Sequence, residues 1–297
     1  MFKCLVRAVC AGAVIIAAPA ALAHDVQGLL IDPHLPKETV RLLKERQTLR
    51  EPQVAQALKD AANLPPAQRQ AVLKANGIRS TNFESSLESV FSKSLWPDKT
   101  LLEVCFLNGS EDARSRVIAV FTELANETNL GIKQSTKTCQ SKTSQIRVSF
   151  RDKGYSSYVG TDALLIPYPL PTMKLQNLDV SDAWTPSQRA VVMHEVLHAY
   201  GALHEHQHPS LNCQNEFDLP RIQTALKWTD LEMKTNFGQF TFGQVGATSD
   251  PDNTSLMFYQ FAPEYFKRGA TSPCYLSAQN TAPSKADLTL LRAQYPK

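Results

Sequence analysis

Between residues 101 and 150 the apolar positions change their spacing from block to block, and each spacing predicts a different element. Leu101-Leu102-Glu103-Val104-Cys105-Phe106-Leu107 has the length and the apolar density of a strand. Asn108–Ser110 supplies turn residues, and Glu111–Thr128 follows with helical periodicity, placing Val117, Ala119, Val120, Phe121 and Leu124 inward. Gly131–Gln134 and Gln145–Phe150 predict two more strands, the clearer being Ile146–Phe150. Gly154–Gly160 (GYSSYVG) reads as a turn or an exposed loop. A further helix begins at Pro186, a residue suited to a first helical position. Thr185 stands where it can cap that helix and Gln188 completes a capping box, while Val192, Val196 and Leu197 face a core.

Beyond Pro209 the periodicity weakens. Leu219–Asn236 keeps a helical pattern through Ile222, Leu226 and Leu231, and 236–246 reads as irregular connection. Asp250–Asn253 is turn chemistry without the ligand spacing of a calcium loop. Ser284–Tyr295 predicts a last helix, with Leu288, Leu291 and Tyr295 packing inward. Residues 24–95 have a different texture. Pro36–Arg50, Pro52–Asn63 and Pro65–Asn76 each open near a proline and are rich in Leu, Ala, Lys, Glu and Gln, predicting short helices. In Ser80–Ser94 the apolar residues Phe83, Leu87, Val90 and Phe91 recur at helical spacing.

The first residues change the picture of where the chain works. Lys3 and Arg7 precede an apolar run that ends in Ala21-Leu22-Ala23, the pattern of a signal peptide over 1–23, so a secreted or periplasmic protein is expected. That run is too short to favour a stable membrane anchor, and no later stretch reaches about 18 apolar residues. Cutting it off removes two positive charges and lowers the formal charge of the 297-residue chain from +3 to +1. So small a balance argues neither for nucleic acid nor for a charged membrane surface. Separately from the charge, a monomer is expected. The cut also removes Cys4 and Cys10, leaving Cys105, Cys139, Cys213 and Cys274. In an exported protein these suggest two disulfides, with three pairings open, and the absence of any C-x-x-C pair argues against a cysteine zinc site.

Five of the seven histidines fall between 194 and 208. His194 and His198 are four apart, so a helix stacks them on one face, where two imidazoles can share a zinc ion. Glu195 lies beside the first of them, placed to act on a water without being a ligand. Gly201 lets the chain leave the helix through a left-handed turn that can bring His204 round as a third ligand. Three protein ligands leave one position open, which marks a catalytic zinc site rather than a structural one. His206 and His208 are alternative ligands by spacing, but helix-then-turn geometry favours His204.

His194-Glu195-x-x-His198-x-x-Gly201-x-x-His204 resembles the extended signature of the metzincin zinc metalloproteases. Glu205 and the later Ser255-Leu256-Met257-Phe258-Tyr259 resemble the astacin branch of that clan, in a bacterial-type relative. The resemblance covers about 96–297 and implies an α+β fold: a small, mixed, mostly parallel sheet and a long zinc helix, preceded by the helical segment 24–95. That segment is then either a propeptide covering the cleft or a permanent extension.

It further implies one catalytic Zn2+ on His194, His198 and His204, with Glu195 as general base. Met257 becomes an apolar floor beneath the metal, and the Tyr259 phenol becomes a donor to the reacting oxygen. Thr172–Leu175, after prolines 167, 169 and 171, falls where such folds place the edge strand of the cleft, able to bind a protein or peptide substrate as an added strand. Glu205 resembles the glutamate that meets a mature N-terminus in astacins. The preferred disulfide pairing is Cys105–Cys139 with Cys213–Cys274, the second bracing both sides of the site. Ala202, His208 and Phe258 depart from the astacin pattern. The implied activity is endopeptidase; a zinc amidase acting on cell-wall peptide or another non-protein polymer and a catalytically idle binding protein are the other readings.

Overall fold

A computed structural model describes residues 38–39, 90–91, 94–135, 139, 144–240, 246–247 and 250–297. The expected signal peptide lies outside these residues, as do the expected helices of 24–95 except for the helical pair 38–39. At the end of that region Val90–Phe91 is a strand, β1, not part of a helix: it pairs antiparallel with Gly246–Ala247, a partner too distant in sequence for local periodicity to reveal.

The main sheet has five strands: β2 (Leu101–Phe106), β3 (Gly131–Gln134), β4 (Ile146–Ser149), β5 (Tyr155–Ser157) and β6 (Met173–Leu175). Their order is β3-β2-β4-β6-β5, parallel throughout except for the antiparallel pair of β5 with β6. Helix α1 (Glu111–Ala125) makes the crossover from β2 to β3 that a parallel pair requires. Its N-cap Ser110 accepts from the Ala113 N–H, and it buries Ala113, Val117, Val120, Phe121 and Leu124. Ala119, expected to face inward, lies on the exposed side.

Two expectations about the sheet edge change. Thr172–Leu175 is not the edge: β6 sits between β4 and β5, and the prolines stay clear of its ladder because it starts only at Met173. GYSSYVG is not a simple loop, because its Tyr155–Ser157 forms the true edge strand β5. The proline-rich approach to β6 is held by the buried Arg147 of β4. Its guanidinium donates to the carbonyls of Ser144, Ile166 and Leu170 at 2.7–3.1 Å, while its backbone N–H donates to Thr172 Oγ1. Burial lowers the Arg147 pKa from its ordinary value.

Across the sheet lies α2 (Pro186–Ala199), begun by the expected box: Gln188 N–H donates to Thr185 Oγ1 and Thr185 N–H to Gln188 Oε1. The far end of α2 is pinned by side chains from both ends of the domain. Trp96 Nε1–H donates to the Ala199 carbonyl at 2.7 Å, and the Tyr295 hydroxyl donates to the Tyr200 carbonyl at 2.7 Å.

Beyond α2 the chain is less regular. Short helices α3 (Cys213–Glu216), α4 (Leu219–Leu226) and α5 (Asp230–Phe237) are followed by strand β7 (Gly246–Ala247) and by turns. The single helix expected over 219–236 is two, because Lys227 adopts a left-handed conformation with φ 56° and ends α4. The core here is aromatic, built on Phe217, Phe237, Phe258, Tyr259, Phe261 and Phe266 around the Cys213–Cys274 disulfide. The other preferred bridge, Cys105–Cys139, is also present. Helix α6 (Lys285–Gln294) closes the chain with a capping box between Ser284 and Asp287. Among the described residues, no helix is long and apolar enough to cross a membrane.

Candidate metal centre

Helix α2 places His194 and His198 one turn apart on a buried face, and the chain then turns at Gly201, whose φ is 105°. The Ala202 N–H returns to the Leu197 carbonyl at 3.0 Å, so the reversal is tight and His204 comes back over the helix end. The Nε2 atoms of His194 and His198 lie 3.2 and 3.1 Å from Nε2 of His204. Two nitrogens bound to one tetrahedral zinc at about 2.0–2.1 Å stand about 3.3 Å apart, so the spacing suits one shared ion.

The opposite ring atoms show the same fit. Nδ1–H of His194 donates to the Leu256 carbonyl at 2.9 Å, and Nδ1–H of His198 donates to the Ala202 carbonyl at 2.8 Å. With each proton held on Nδ1, both rings present an Nε2 lone pair to the centre. Three buried lone-pair donors converging in this way suit a cation. Among the described residues this trio is the one group of side chains with metal-site geometry.

Glu195 is fully buried beside the trio, and burial pushes its carboxyl up to about 8, opposed by the charge of His194. A bound dication favours the ionised form and works against that shift. Tyr259 is buried with its ring tilted over His204, the centroids 4.1 Å apart, and 6.4 Å from the ring of His194. Its hydroxyl donates to Asn236 Oδ1 at 3.2 Å. The structure thus brings together all five residues that the sequence nominated.

His206 and His208 stand outside the trio, yet neither is on the surface. His206 stacks on Tyr259 at 4.4 Å and donates from Nε2 to the Asn236 carbonyl at 2.7 Å. The ring of His208 accepts at Nδ1 from the Ser210 N–H. Glu205 is also buried: its carboxylate accepts from the Asp252 N–H, and its own N–H donates to the Met257 carbonyl.

Met257 lies in a turn that sequence reasoning placed without its anchor. That anchor is Asp287, the third residue of α6. Its carboxylate accepts from Ser255 Oγ–H at 2.7 Å and from the N–H groups of Leu256 and Ser284 at 2.9 Å. Because the Leu256 carbonyl receives His194 Nδ1–H, helix α6 holds the first imidazole of the trio through one residue. The capping pattern Ser284-x-x-Asp287 is visible in the sequence, but its link to Leu256 is not. Backbone acceptors such as Leu256 and Ala202 leave no side-chain signal at all.

A structure of myroilysin superposes on 70% of this chain and 98% of its own at a TM-score of 0.60 with 27% identity. The fold is that of an astacin-like metzincin. A crystal structure of myroilysin covers 74% of this astacin-like chain and 95% of its own, with a TM-score of 0.53 and 24% identity. High choriolytic enzyme 1, a hatching-enzyme zinc protease of the medaka fish Oryzias latipes, covers 71% and 98% at a TM-score of 0.41 and 12% identity. No protein-family model matches the sequence, and no curated protein matches it.

Proposed function

We propose that this zinc metalloprotease works outside the cytoplasm as an endopeptidase on extended polypeptide substrates, with Glu195 as general base. The observation that carries the reading is the convergence of three buried imidazoles, two of them with the tautomer fixed, beside a buried glutamate. His194, His198 and His204 would hold the ion, and a zinc bound there would supply Lewis acidity and lower the pKa of a water toward about 7. Glu195 accepts the proton of the attacking water and passes it to the departing amine as the peptide bond breaks. Tyr259 leaves Asn236 and donates its O–H to the oxygen on which charge develops. The unpaired side of β5 offers main-chain groups along which a substrate lies as one more strand. That role passes to Tyr155–Ser157 from the Thr172–Leu175 stretch first expected to hold it. The two disulfides favour an oxidising compartment and so support export.

Glu195→Ala tests the mechanism directly. Casein cleavage is expected to fall by about a thousandfold or more while about one zinc per chain is retained. Chelation should likewise stop the unmodified protein. Full activity of the variant, or of the metal-free protein, overturns the assignment.

A further inference from the structure

The segment that brings His204 to the centre also holds a second element in place. Its next residues reach the C-terminal end of α5: His206 Nε2–H donates to the Asn236 carbonyl and the Gln207 side-chain amide to the Gly238 carbonyl, each at 2.7 Å. The helix can end in this way because residue 238 is a glycine. A Cβ there would lie 2.5 Å from the Lys234 carbonyl oxygen. Phe237 packs edge-on against Phe217, the centroids 4.9 Å apart, and lies 5.7 Å from Phe261. Two hydrogen bonds and a buried ring thus fix the end of α5 against the chain that carries one member of the trio.

Asn236 is buried in that last turn, and its Oδ1 accepts from the Tyr259 hydroxyl at 3.2 Å. The phenol ring stacks on His206 and meets Phe261 edge-on, with centroids 5.5 Å apart. These rings set where the phenol lies. They do not set where its O–H points, because a hydroxyl rotates about its C–O bond until a polar neighbour stops it. At 3.2 Å the bond to Asn236 is longer than the usual O–H···O range, which ends at about 3.0 Å. It therefore directs the phenol without binding it tightly enough to obstruct its release. A donor already held close to its working place loses less freedom when charge develops beside it.

We propose that Asn236 is a positioning residue of the reaction: its side-chain oxygen holds the Tyr259 hydroxyl beside the trio, from where it turns to the oxygen on which charge develops. His206 serves the same end by fixing the Asn236 backbone, a role for a histidine that stands outside the trio. The inference rests on the endopeptidase reading above and adds to it a residue that acts through Tyr259.

The test compares Asn236→Ala and Tyr259→Phe, singly and together, in zinc-loaded protein acting on a fluorogenic peptide built on a mapped casein cleavage site. Replacing Asn236 spares the bond from His206, which goes to the backbone. Tyr259→Phe should lower kcat about 100-fold and Asn236→Ala about tenfold, each with KM changed less than about twofold. The double variant should be no slower than Tyr259→Phe, since an effect exerted through a hydroxyl vanishes with it. Asn236→Asp keeps an acceptor oxygen and should recover most of the lost kcat. Zinc affinity, measured by competition with a chelator, should stay unchanged in every variant. If Asn236→Ala does not fold, Asn236→Leu, closer in size, takes its place in the same cycle. Losses that multiply in the double variant, an unchanged kcat without the Asn236 oxygen, or a fall in zinc affinity matching the fall in kcat overturn the positioning role and leave the protease reading standing. Full activity of Tyr259→Phe overturns it as well. If the unmodified zinc-loaded protein cuts no peptide, the protease reading falls and the role of Asn236 falls with it.

Discussion

The half of the molecule built on the sheet buries mostly aliphatic side chains such as Leu102, Val104, Val117, Val148 and Val192, drawn from regular strands and helices, with fewer rings among them, such as Phe121 and Phe150. The half beyond Gly201 buries rings, among them Phe217, Phe237, Phe261 and Phe266, in short helices and turns with a disulfide among them. In the first half, ladder hydrogen bonds and helix packing fix the backbone, and the side chains fill the space between. In the second, few backbone groups have a regular partner, so ring-on-ring contacts and a covalent tie do much of the positioning. The metal centre stands on the seam. His194, Glu195 and His198 come from the regular half, while His204 and Tyr259 come from the other. The contrast implies that ligand geometry on one side depends on a helix and on the other depends on loops held by rings, sulfur and Asp287.

The strongest way to break that contrast is to cut each disulfide in turn. Their sequence separations of 34 and 61 residues give chain-entropy contributions of about 4 kcal/mol apiece, so similar losses of stability are expected from Cys105→Ser/Cys139→Ser and Cys213→Ser/Cys274→Ser. Activity should separate them. Loss of Cys213–Cys274 should abolish casein cleavage well below the melting temperature of the variant, whereas loss of Cys105–Cys139 should leave cleavage intact while the protein is folded. Equal inactivation of both variants at a temperature where both are folded would remove the distinction between the halves.

A smaller effect is expected where α6 supports the seam. Asp287→Asn keeps the size of the side chain but gives up a carboxylate that accepts three hydrogen bonds, from Ser255, Leu256 and Ser284. Zinc affinity, measured by competition with a chromophoric chelator, should fall about 10- to 100-fold. An unchanged zinc affinity with a lowered melting temperature would make Asp287 a plain structural residue.

Smallest is the start of α2. Thr185→Ala removes a cap that lies far from the ligands on a helix already fixed by the sheet core. It should cost about 1 kcal/mol, a fall of about 2–4 °C in Tm, with zinc affinity unchanged. A drop in zinc affinity here would show that the ligand end of the helix is less firmly held than Trp96 and Tyr295 suggest.

Much of the regular half was legible because its elements announce themselves locally. β2, β3, β4, α1 and α2 fall close to where the spacing of apolar residues and the caps put them. The edge of the sheet was not legible. Tyr155–Ser157 is three residues long, is approached through a glycine, and pairs with a strand across an intervening loop, so no alternation betrays it. Conversely, Thr172–Leu175 looked like an edge because a proline-rich run leads into it. The Ile166 and Leu170 carbonyls of that run are in fact taken up by the buried Arg147, a long-range contact invisible in the local pattern.

The sequence alone singled out the three imidazoles that converge, with Glu195 beside them, because a helical period followed by a glycine turn dictates which side chains come together. It also determined the two ends of α2 and, with the resemblance to astacins, the disulfide pairing. Only the tertiary structure decided which ring nitrogen His194 and His198 turn to the centre of the trio, since that depends on the carbonyls of Leu256 and Ala202. It alone decided that Asp287 holds the Met257 turn and that Asn236 receives the Tyr259 hydroxyl. It likewise assembled a cavity beside His194 from five separate parts of the chain. These contacts join residues far apart in sequence through backbone groups common to every residue type, and such partners acquire an address only when the chain has folded.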